Sequence, residues 1–267
     1  MKVYFLSFFF GFVIPSECAS QIIYSNSFEE NFFIKKDANF EACCEKSIIT
    51  TRKVSKTGKN SLRFELNDTD SNVAGGKRSE MIFRHEKTPN IDRWYKFNTY
   101  FSYDYGIDSI PESIAQWHEI PDWNLGETWR SPPISLQTKN GFWYVVVLWA
   151  SEKVNSNKSI SGQKIFKIGK VETGSWEEWV FRIKFSYQNK GRIQLWRKGK
   201  LVLDYNGPNY YNDKKGPFFK MGIYKWEWNG NSIKRLVNKR VLYIDDIIIG
   251  NEKSNLKIMR NFYKKNK

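Results

Sequence analysis

The sequence predicts an all-β fold, an antiparallel β-jelly roll in which two large sheets form a sandwich. Short runs of alternating apolar and polar residues, separated by Gly, Pro, Asn and Asp, recur from end to end of the 267 residues, and helical periodicity is scarce. No repeat, linker or low-complexity block divides residues 21–250. Since a chain of this length can bury one large core, we expect residues 21–267 to form a single domain.

The first 20 residues predict a secretory signal peptide. Lys2 is followed by an apolar run over residues 3–14, then by Pro15 and small residues up to Ser20. This run is too short to span a membrane, and the alternative of a buried N-terminal strand fits the pattern less well. We therefore expect cleavage after Ser20 and a mature protein that is secreted or periplasmic. Its end is expected to be a solvated, basic tail containing Lys253, Lys257, Arg260, Lys264, Lys265 and Lys267.

Alternation also marks individual strands. Residues 62–66 alternate apolar and polar side chains, and residues 179–187 alternate apolar side chains with a cationic outer face. Lys198-Gly199-Lys200 predicts a hairpin turn. Residues 241–249 are almost continuously apolar, which predicts a strand covered on both faces. The Trp-rich connection over residues 122–133 is expected to frame a concave sheet.

Residues 218–226 are the most informative segment, because alternation gives them two unlike faces. The apolar face consists of Phe219, Met221 and Ile223. The other face consists of Lys220, Gly222, Tyr224 and Trp226. A cation, a position without a side chain and two aromatic rings make a suitable floor for a charged sugar chain, and Gly222 fits the close approach of a ligand.

Two shorter segments have the same design. In residues 78–84 one face carries Arg78, Glu80 and Arg84, whereas Met81 and Phe83 are expected to pack inward. In residues 116–118, Gln116 and His118 share a face and Trp117 points to the opposite side. Together the three segments supply an arginine, an amide, an imidazole and a phenol, the groups that a β-eliminating lyase needs.

Charge and cysteine content narrow the partners. The formal net charge of +15 predicts long-range attraction for a polyanion. Nucleic acid, anionic lipid and acidic polysaccharide all fit this charge, and the expected export argues against nucleic acid. We expect an acidic polysaccharide partner, no membrane partner and a monomer. Cys43 and Cys44 are expected to be free thiols, because adjacent cysteines close a strained ring, and no metal-ligand spacing is present.

The three segments resemble the R-[ST]-E-[LM], Q-x-H and F-K-x-G-x-Y signatures of the jelly-roll polysaccharide lyases, which include alginate lyases, glucuronan lyases and heparin lyase I. The longer run from GGKRSE through AQWHEIPDW to GIYKW is most similar to the heparin lyase I family. The sequence departs from the alginate lyase pattern at Trp117 and at Lys225-Trp226. The resemblance implies cleavage of a uronate-containing polysaccharide similar to heparin or heparan sulfate, and the basic net charge favours a sulfated chain over alginate or glucuronan. The resemblance requires no cofactor but allows bound calcium, with Asp245, Asp246 or Glu29 as candidate ligands.

β-Elimination requires neutralisation of the uronate carboxylate, removal of the C5 proton and protonation of the departing O4. Arg78 and Gln116 are the candidates for neutralisation, with Lys220 as a second cation. Histidine accepts a proton near neutrality and tyrosine is naturally an acid, so we assign His118 as general base and Tyr224 as general acid. In related lyases a tyrosine serves as both, and then Arg78 and Lys220 would favour its phenolate form.

The remaining candidates concern sugar contacts and orientation. Glu80 is expected to orient an arginine, and Arg130 is a candidate for sulfate or carboxylate binding. Trp117 and Trp226 are candidates for stacking on sugar rings. His85 lies just beyond the segment at 78–84 and is expected to be structural.

Two other classes of function remain open at this stage. A lectin-like module would bind glycans without needing His118 and Tyr224 together. A glycoside hydrolase requires paired carboxylates, and Glu119 and Asp122 do not match the strand motif of such enzymes.

Overall fold

The computed structural model describes residues 21–30, 38–229 and 236–263. Among these residues fifteen strands form two antiparallel sheets that pack as a sandwich, so the predicted fold class is confirmed. In chain order the strands are β1 (Ile22–Asn26), β2 (Ala38–Ala42), β3 (Ile48–Thr51), β4 (Ser61–Asn67), β5 (Lys77–Phe83), β6 (Asp92–Tyr100), β7 (Glu112–His118), β8 (Ile134–Lys139), β9 (Phe142–Trp149), β10 (Gly162–Lys170), β11 (Trp176–Lys184), β12 (Arg192–Arg197), β13 (Lys200–Asn206), β14 (Phe218–Lys225) and β15 (Lys239–Gly250).

The order of strands explains why distant segments meet. One sheet has the order β10-β9-β8-β7-β14-β5-β2, and the other has the order β13-β12-β11-β6-β15-β4-β3 with β1 beside β15. Three 3₁₀ helices (Glu45–Ser47, Trp123–Leu125 and Trp226–Asn229) and the helix α1 (Leu256–Asn261) complete the described elements. No described helix has the length and apolar character needed to cross a bilayer.

The hydrophobic core lies between the two sheets and follows the alternation of the sequence. Phe64, Trp117, Phe181, Met221 and Ile244 come from five strands of the two sheets and are fully or almost fully buried. Burying one such side chain contributes about 1.5–3 kcal/mol, so this layer fixes which face of each strand points outward. The predicted inward side chains of residues 62–66, 179–185 and 218–226 lie in it, whereas that of Tyr187 does not.

The turn and the apolar strand are also found as predicted. Lys198 and Gly199 connect β12 to β13 with φ values of 51° and 80°, as a two-residue hairpin requires. Strand β15 is buried on both faces. Its outer face is covered by α1, whose Met259 packs with Trp94, Val180 and Ile248 in a second, smaller core.

The expectation of a solvated tail is therefore wrong for residues 256–261. The Asn255 side chain accepts a hydrogen bond from Ile258 N and begins the helix, and Arg260 Nε lies 2.6 Å from Glu178 Oε1. Met259 is the one fully buried residue of this helix, and Lys257, Arg260 and Asn261 are polar, so the pattern is hard to distinguish from a solvated end. Lys264, Lys265 and Lys267 lie outside the described residues, as does the predicted signal peptide.

The expectation of free thiols is wrong as well, because Cys43 and Cys44 form a disulfide. They connect β2 of one sheet to the 3₁₀ helix that precedes β3 of the other. The sequence alone could not show that the chain brings neighbouring sulfur atoms together at this crossing between sheets.

Candidate active site

Three neighbouring strands carry the three sequence segments. Strand β14 lies between β5 and β7, with Tyr224 opposite Arg78, Gly222 opposite Glu80, and Lys220 opposite Gln116. Residues directly opposite each other in antiparallel strands share a face of the sheet. The central strands therefore bring three segments that are distant in the chain to one face of the sheet.

This face forms a cleft of about 640 Å³. Arg78, Gln116, His118, Lys220 and Tyr224 all line it. Trp129, Trp226, Phe218 and Glu41 line it too, and strands β8 to β10 contribute an uncharged part with Ser135, Gln137, Val146, Leu148, Gln163 and Ile165. The structure thus brings together the four residues assigned to catalysis and the second cation.

Glu80 organises the cations beneath the cleft. Its carboxylate is 1% exposed and accepts hydrogen bonds from Gln116 Nε2 at 2.5 Å and from Arg78 Nη1 at 3.3 Å. Lys220 Nζ lies 3.0 Å from the same carboxylate. Glu80 therefore orients the amide and both cations, as expected, and its own burial keeps it from contacting a sugar.

Glu41 is a residue that the sequence analysis missed. It lies on the edge strand β2, and its Oε2 is 2.6 Å from Lys220 Nζ and 3.0 Å from Arg78 Nη1. Burial alone would raise the pKa of this carboxyl, but the charges of Lys220 and Arg78 hold the pKa below its usual value. No motif surrounds Glu41, so the alternation of residues 38–42 is the sequence signal that could have placed it on the cleft face.

Tyr224 lies at the Arg78 end of the cleft. The Arg78 guanidinium carbon is 4.0 Å from the centre of the phenol ring, and the Trp226 ring is 5.7 Å away. A Cβ atom on Gly76 would lie 2.6 Å from Tyr224 Cε2, so the glycine leaves room for the ring. The guanidinium over the face of the ring makes a cation–π contact that fixes the position of the phenol.

His118 lies toward the other end, among aromatic rings. The Phe218 ring stacks on the imidazole at 5.3 Å and the Trp129 ring meets it edge-on at 5.4 Å. Nδ1 is 2.7 Å from Oε2 of the buried Glu119 and 3.3 Å from the Glu119 carbonyl oxygen. Since both neighbours are acceptors, we assign the neutral ring a proton on Nδ1, which leaves Nε2 as an acceptor.

The strand register sets the spacing of these groups. His118 is opposite Phe218, six residues before Tyr224 on β14. A bulge in β14 before Tyr224 makes the two backbone positions lie closer than the roughly 20 Å of a straight strand of this length. To act on C5 and O4 of one sugar, the imidazole and the phenol must extend toward each other along the cleft. The imidazole and the phenol therefore flank the centre of the cleft, where Gln116 and Lys220 lie opposite each other.

Arg130 does not offer a free guanidinium to a ligand. It is 4% exposed and forms ion pairs with Glu119, Glu127 and Asp213, the last at 2.7 Å. Burial raises the pKa of Asp213 to about 7. The charges of Glu127 and Glu119 also raise this pKa, whereas Arg130 lowers it. Although Arg130 borders the cleft, its guanidinium neutralises buried carboxylates, so the interpretation of Arg130 as a sulfate- or carboxylate-binding side chain is wrong.

Trp117 is the clearest miss among the predicted sugar contacts. It is fully buried in the core and stacks on Phe219 at 5.1 Å, so it does not reach the cleft. Trp226 does line the cleft.

Gly222 is explained by the backbone rather than by a ligand. It lies at a bulge in β14 with φ 142°, and a Cβ atom would lie 2.2 Å from the Ser79 carbonyl oxygen. The glycine thus permits close packing of β14 against β5. The expectation that it admits a sugar is wrong.

The candidate calcium ligands already have protein partners. Asp245 accepts hydrogen bonds from the Lys56 and Thr57 amides, and Lys96 Nζ lies 3.3 Å from Asp246 Oδ2. Glu29 accepts from backbone amides of residues 59 and 60. A lysine and backbone amides occupy the places of a cation, so these residues do not fit a calcium site.

Comparison with known proteins gives the class. The sequence matches the family model described as polysaccharide lyase over residues 25–248. The chain therefore belongs to this polysaccharide lyase family. A comparison with curated protein sequences found no match.

Solved structures share the fold at low identity. An endo-β-1,4-glucuronan lyase from the fungus Trichoderma reesei superposes with a TM-score of 0.72 at 18% identity, over 86% of this chain and 95% of that one. A family 7 alginate lyase, A1-II′, gives 0.55 at 11% identity, over 81% and 95%. The binding domain of a botulinum neurotoxin gives 0.59 at 8%, over 94% and 52%. At these identities the similarity shows the jelly-roll fold alone.

Proposed function

We propose that this polysaccharide lyase cleaves an unsulfated 4-linked polyuronate by β-elimination and leaves an unsaturated uronate at the new non-reducing end. The observation that carries the proposal is the common cleft, in which an arginine, an amide, an imidazole, a lysine and a phenol meet.

The charge of the cleft favours a polymer with one carboxylate per sugar over a sulfated one. Arg78 and Lys220 are each paired with Glu41 and Glu80, and Arg130 is paired with three carboxylates. The lining residues of β8 to β10 carry no charge. Sulfate groups would find few unpaired cations among these lining residues. Glucuronan and alginate, named for the similar structures, are the first polymers to try.

The proposed reaction is balanced by two proton transfers. Gln116, Lys220 and Arg78 stabilise the charge that develops on the uronate carboxylate. His118 Nε2 takes the C5 proton, the C4–O4 bond breaks, and a C4–C5 double bond forms. Tyr224 gives its proton to O4 of the leaving chain, and exchange with water restores both groups. The alternative is that Tyr224 performs both transfers.

A heparin-like polymer is the second candidate, because the net charge of +15 attracts polyanions. That charge belongs to the chain as a whole. It increases the rate of encounter with any acidic polymer and does not by itself select sulfate. We also propose that the lyase is exported through the predicted signal peptide and acts as a monomer.

The test is to incubate the purified protein with glucuronan, alginate, heparan sulfate and heparin, and to follow the ultraviolet absorbance of the unsaturated uronate. We expect product from an unsulfated polymer and little from heparin. No product from any uronate polymer would contradict the reaction. Faster cleavage of heparin than of glucuronan and alginate would contradict the substrate assignment and favour the second candidate.

A further inference from the structure

The carboxylate of Glu41 lies on the two cations that the proposed reaction needs. Its Oε2 is bound by Lys220 Nζ at 2.6 Å and by Arg78 Nη1 at 3.0 Å. Glu41 also lines the cleft, and its side chain is 25% exposed. A carboxylate held between a lysine and an arginine in a cleft has the same chemistry as a bound uronate.

The Nη and Nζ donors of the two cations are largely used. Arg78 Nη1 also donates to Glu80 and Nη2 donates to the Ala74 carbonyl oxygen at 3.2 Å, whereas Nε is buried without a hydrogen-bond partner. Lys220 Nζ, with three donors, contacts both Glu41 and Glu80. Two cations and two carboxylates give this cluster no net charge, so it offers little attraction to an incoming carboxylate.

The two glutamates differ in their freedom to move. Glu80 is 1% exposed and is held by Gln116 as well as by the cations, so removing it would leave buried charges unpaired. Glu41 belongs to the edge strand β2 and its side chain is 25% exposed, so rotation of the side chain would carry the carboxylate toward solvent. Its departure would leave a cluster of net charge +1.

We propose that Glu41 occupies the position of the substrate carboxylate in the free enzyme and is displaced when a uronate binds. This inference rests on the proposed function, because it takes a uronate polymer as the ligand. It makes binding an exchange of one carboxylate for another. A neutral sugar has no carboxylate and cannot replace Glu41. It would have to bind beside the two cations while Glu41 remains paired with them. Glu41 thus competes with the substrate carboxylate and lowers the affinity of the cleft for acidic chains.

The test measures binding without turnover. In a Tyr224→Phe background, the affinity for a glucuronate hexasaccharide is measured by calorimetry with Glu41 intact, with Glu41→Gln and with Glu41→Ala. We expect either substitution to lower the dissociation constant about fivefold to tenfold, the effect of removing a competing ion pair of ordinary strength. The neutral hexasaccharide of β-1,4-glucose should gain nothing. Glu172→Gln, at an exposed ion pair on another part of the molecule, is the matched control.

The outcomes separate the two proposals. Unchanged or weaker binding of the uronate in both Glu41 variants would overturn the inference even if the enzyme cleaves glucuronan. An equal gain for the neutral sugar would also overturn it, because a general change of the cleft would then be the cause. A selective gain for the uronate supports the inference even if no polymer is cleaved.

Discussion

His118 and Tyr224 are the side chains on which the proposed proton transfers depend. We expect His118→Ala and Tyr224→Phe each to lower kcat by roughly 10² or more, because each removes a proton-transfer group. Binding of an oligouronate should be nearly unchanged, since Lys220 and Gln116 remain. The measurement is the initial rate of unsaturated uronate formation.

The matched controls for these variants are His85→Ala and Tyr103→Phe. His85 is exposed with Nδ1 near the Glu86 carbonyl oxygen, and Tyr103 is 83% exposed; neither lines the cleft. Both controls should keep full activity. Full activity in His118→Ala with loss in Tyr224→Phe would assign both transfers to Tyr224, and full activity in both would refute the assignment.

Single residues show the limits of alternation. It placed Lys220, Tyr224 and Gln116 correctly on the cleft face, because the period of a strand determines which side a residue faces. The same rule placed Trp117 on the face of the strand that points away from His118, and Trp117 is indeed buried in the core. The proposed contact between Trp117 and a sugar did not agree with that placement. Burial of Arg130 could not be foreseen, because it depends on how the connection that holds Glu119 and Glu127 folds around Arg130 and meets Asp213 from the β13–β14 connection.

At the scale of elements, the connection between β7 and β8 depends on Arg130. The guanidinium joins Glu119, Glu127 and Asp213 and donates to Asn155 Oδ1 at 2.5 Å. Arg130→Met should lower the free energy of unfolding by about 3–5 kcal/mol, because it leaves buried carboxylates without a cation. Urea denaturation monitored by tryptophan fluorescence measures this loss.

Activity provides the second readout for Arg130. Glu119 contacts both Arg130 and His118, so the variant should also lose activity under conditions where it remains folded. Arg192→Met, which breaks an exposed pair with Asp204, should change stability by less than about 1 kcal/mol. Equal effects of the two substitutions would contradict the role given to Arg130.

The order of strands was the part of the architecture that the sequence could not provide. Alternation identifies a strand and its faces, but the pairing of β14 with β5 and β7 joins segments far apart in the chain. The motifs suggested a shared site only through the resemblance to lyases. Glu41 had no such motif, so its place on β2 beside β5 became visible only in the structure.

At the scale of the whole molecule, two buried aspartates make stability depend on pH. Burial raises the pKa of Asp213 and of Asp245 to about 7 each, and the charge of Asp246 adds to the effect at Asp245. An unfolded aspartate has a pKa of about 3.9, so between these values the folded state binds more protons. The free energy of unfolding should therefore fall as pH rises from about 5 through 7, by roughly 2 kcal/mol or more.

Urea denaturation at a series of pH values between about 5 and 8.5 measures this trend. The double variant Asp213→Asn, Asp245→Asn should flatten it. Asp204→Asn should not, because hydrogen bonds from Arg192 lower the pKa of that exposed carboxyl. A wild-type curve that is flat, or that rises with pH in this range, would contradict the prediction.

The helix α1 limits how far the C-terminus of the protein can be truncated. It covers Trp94, Val180 and Ile248 on the outside of the sandwich. Deleting residues from Leu256 onward would expose a hydrophobic patch on the outer face of the sheet. The shortened protein should therefore aggregate during purification, although its cleft is unchanged. Such a truncation should lower the yield of soluble protein before it affects catalysis.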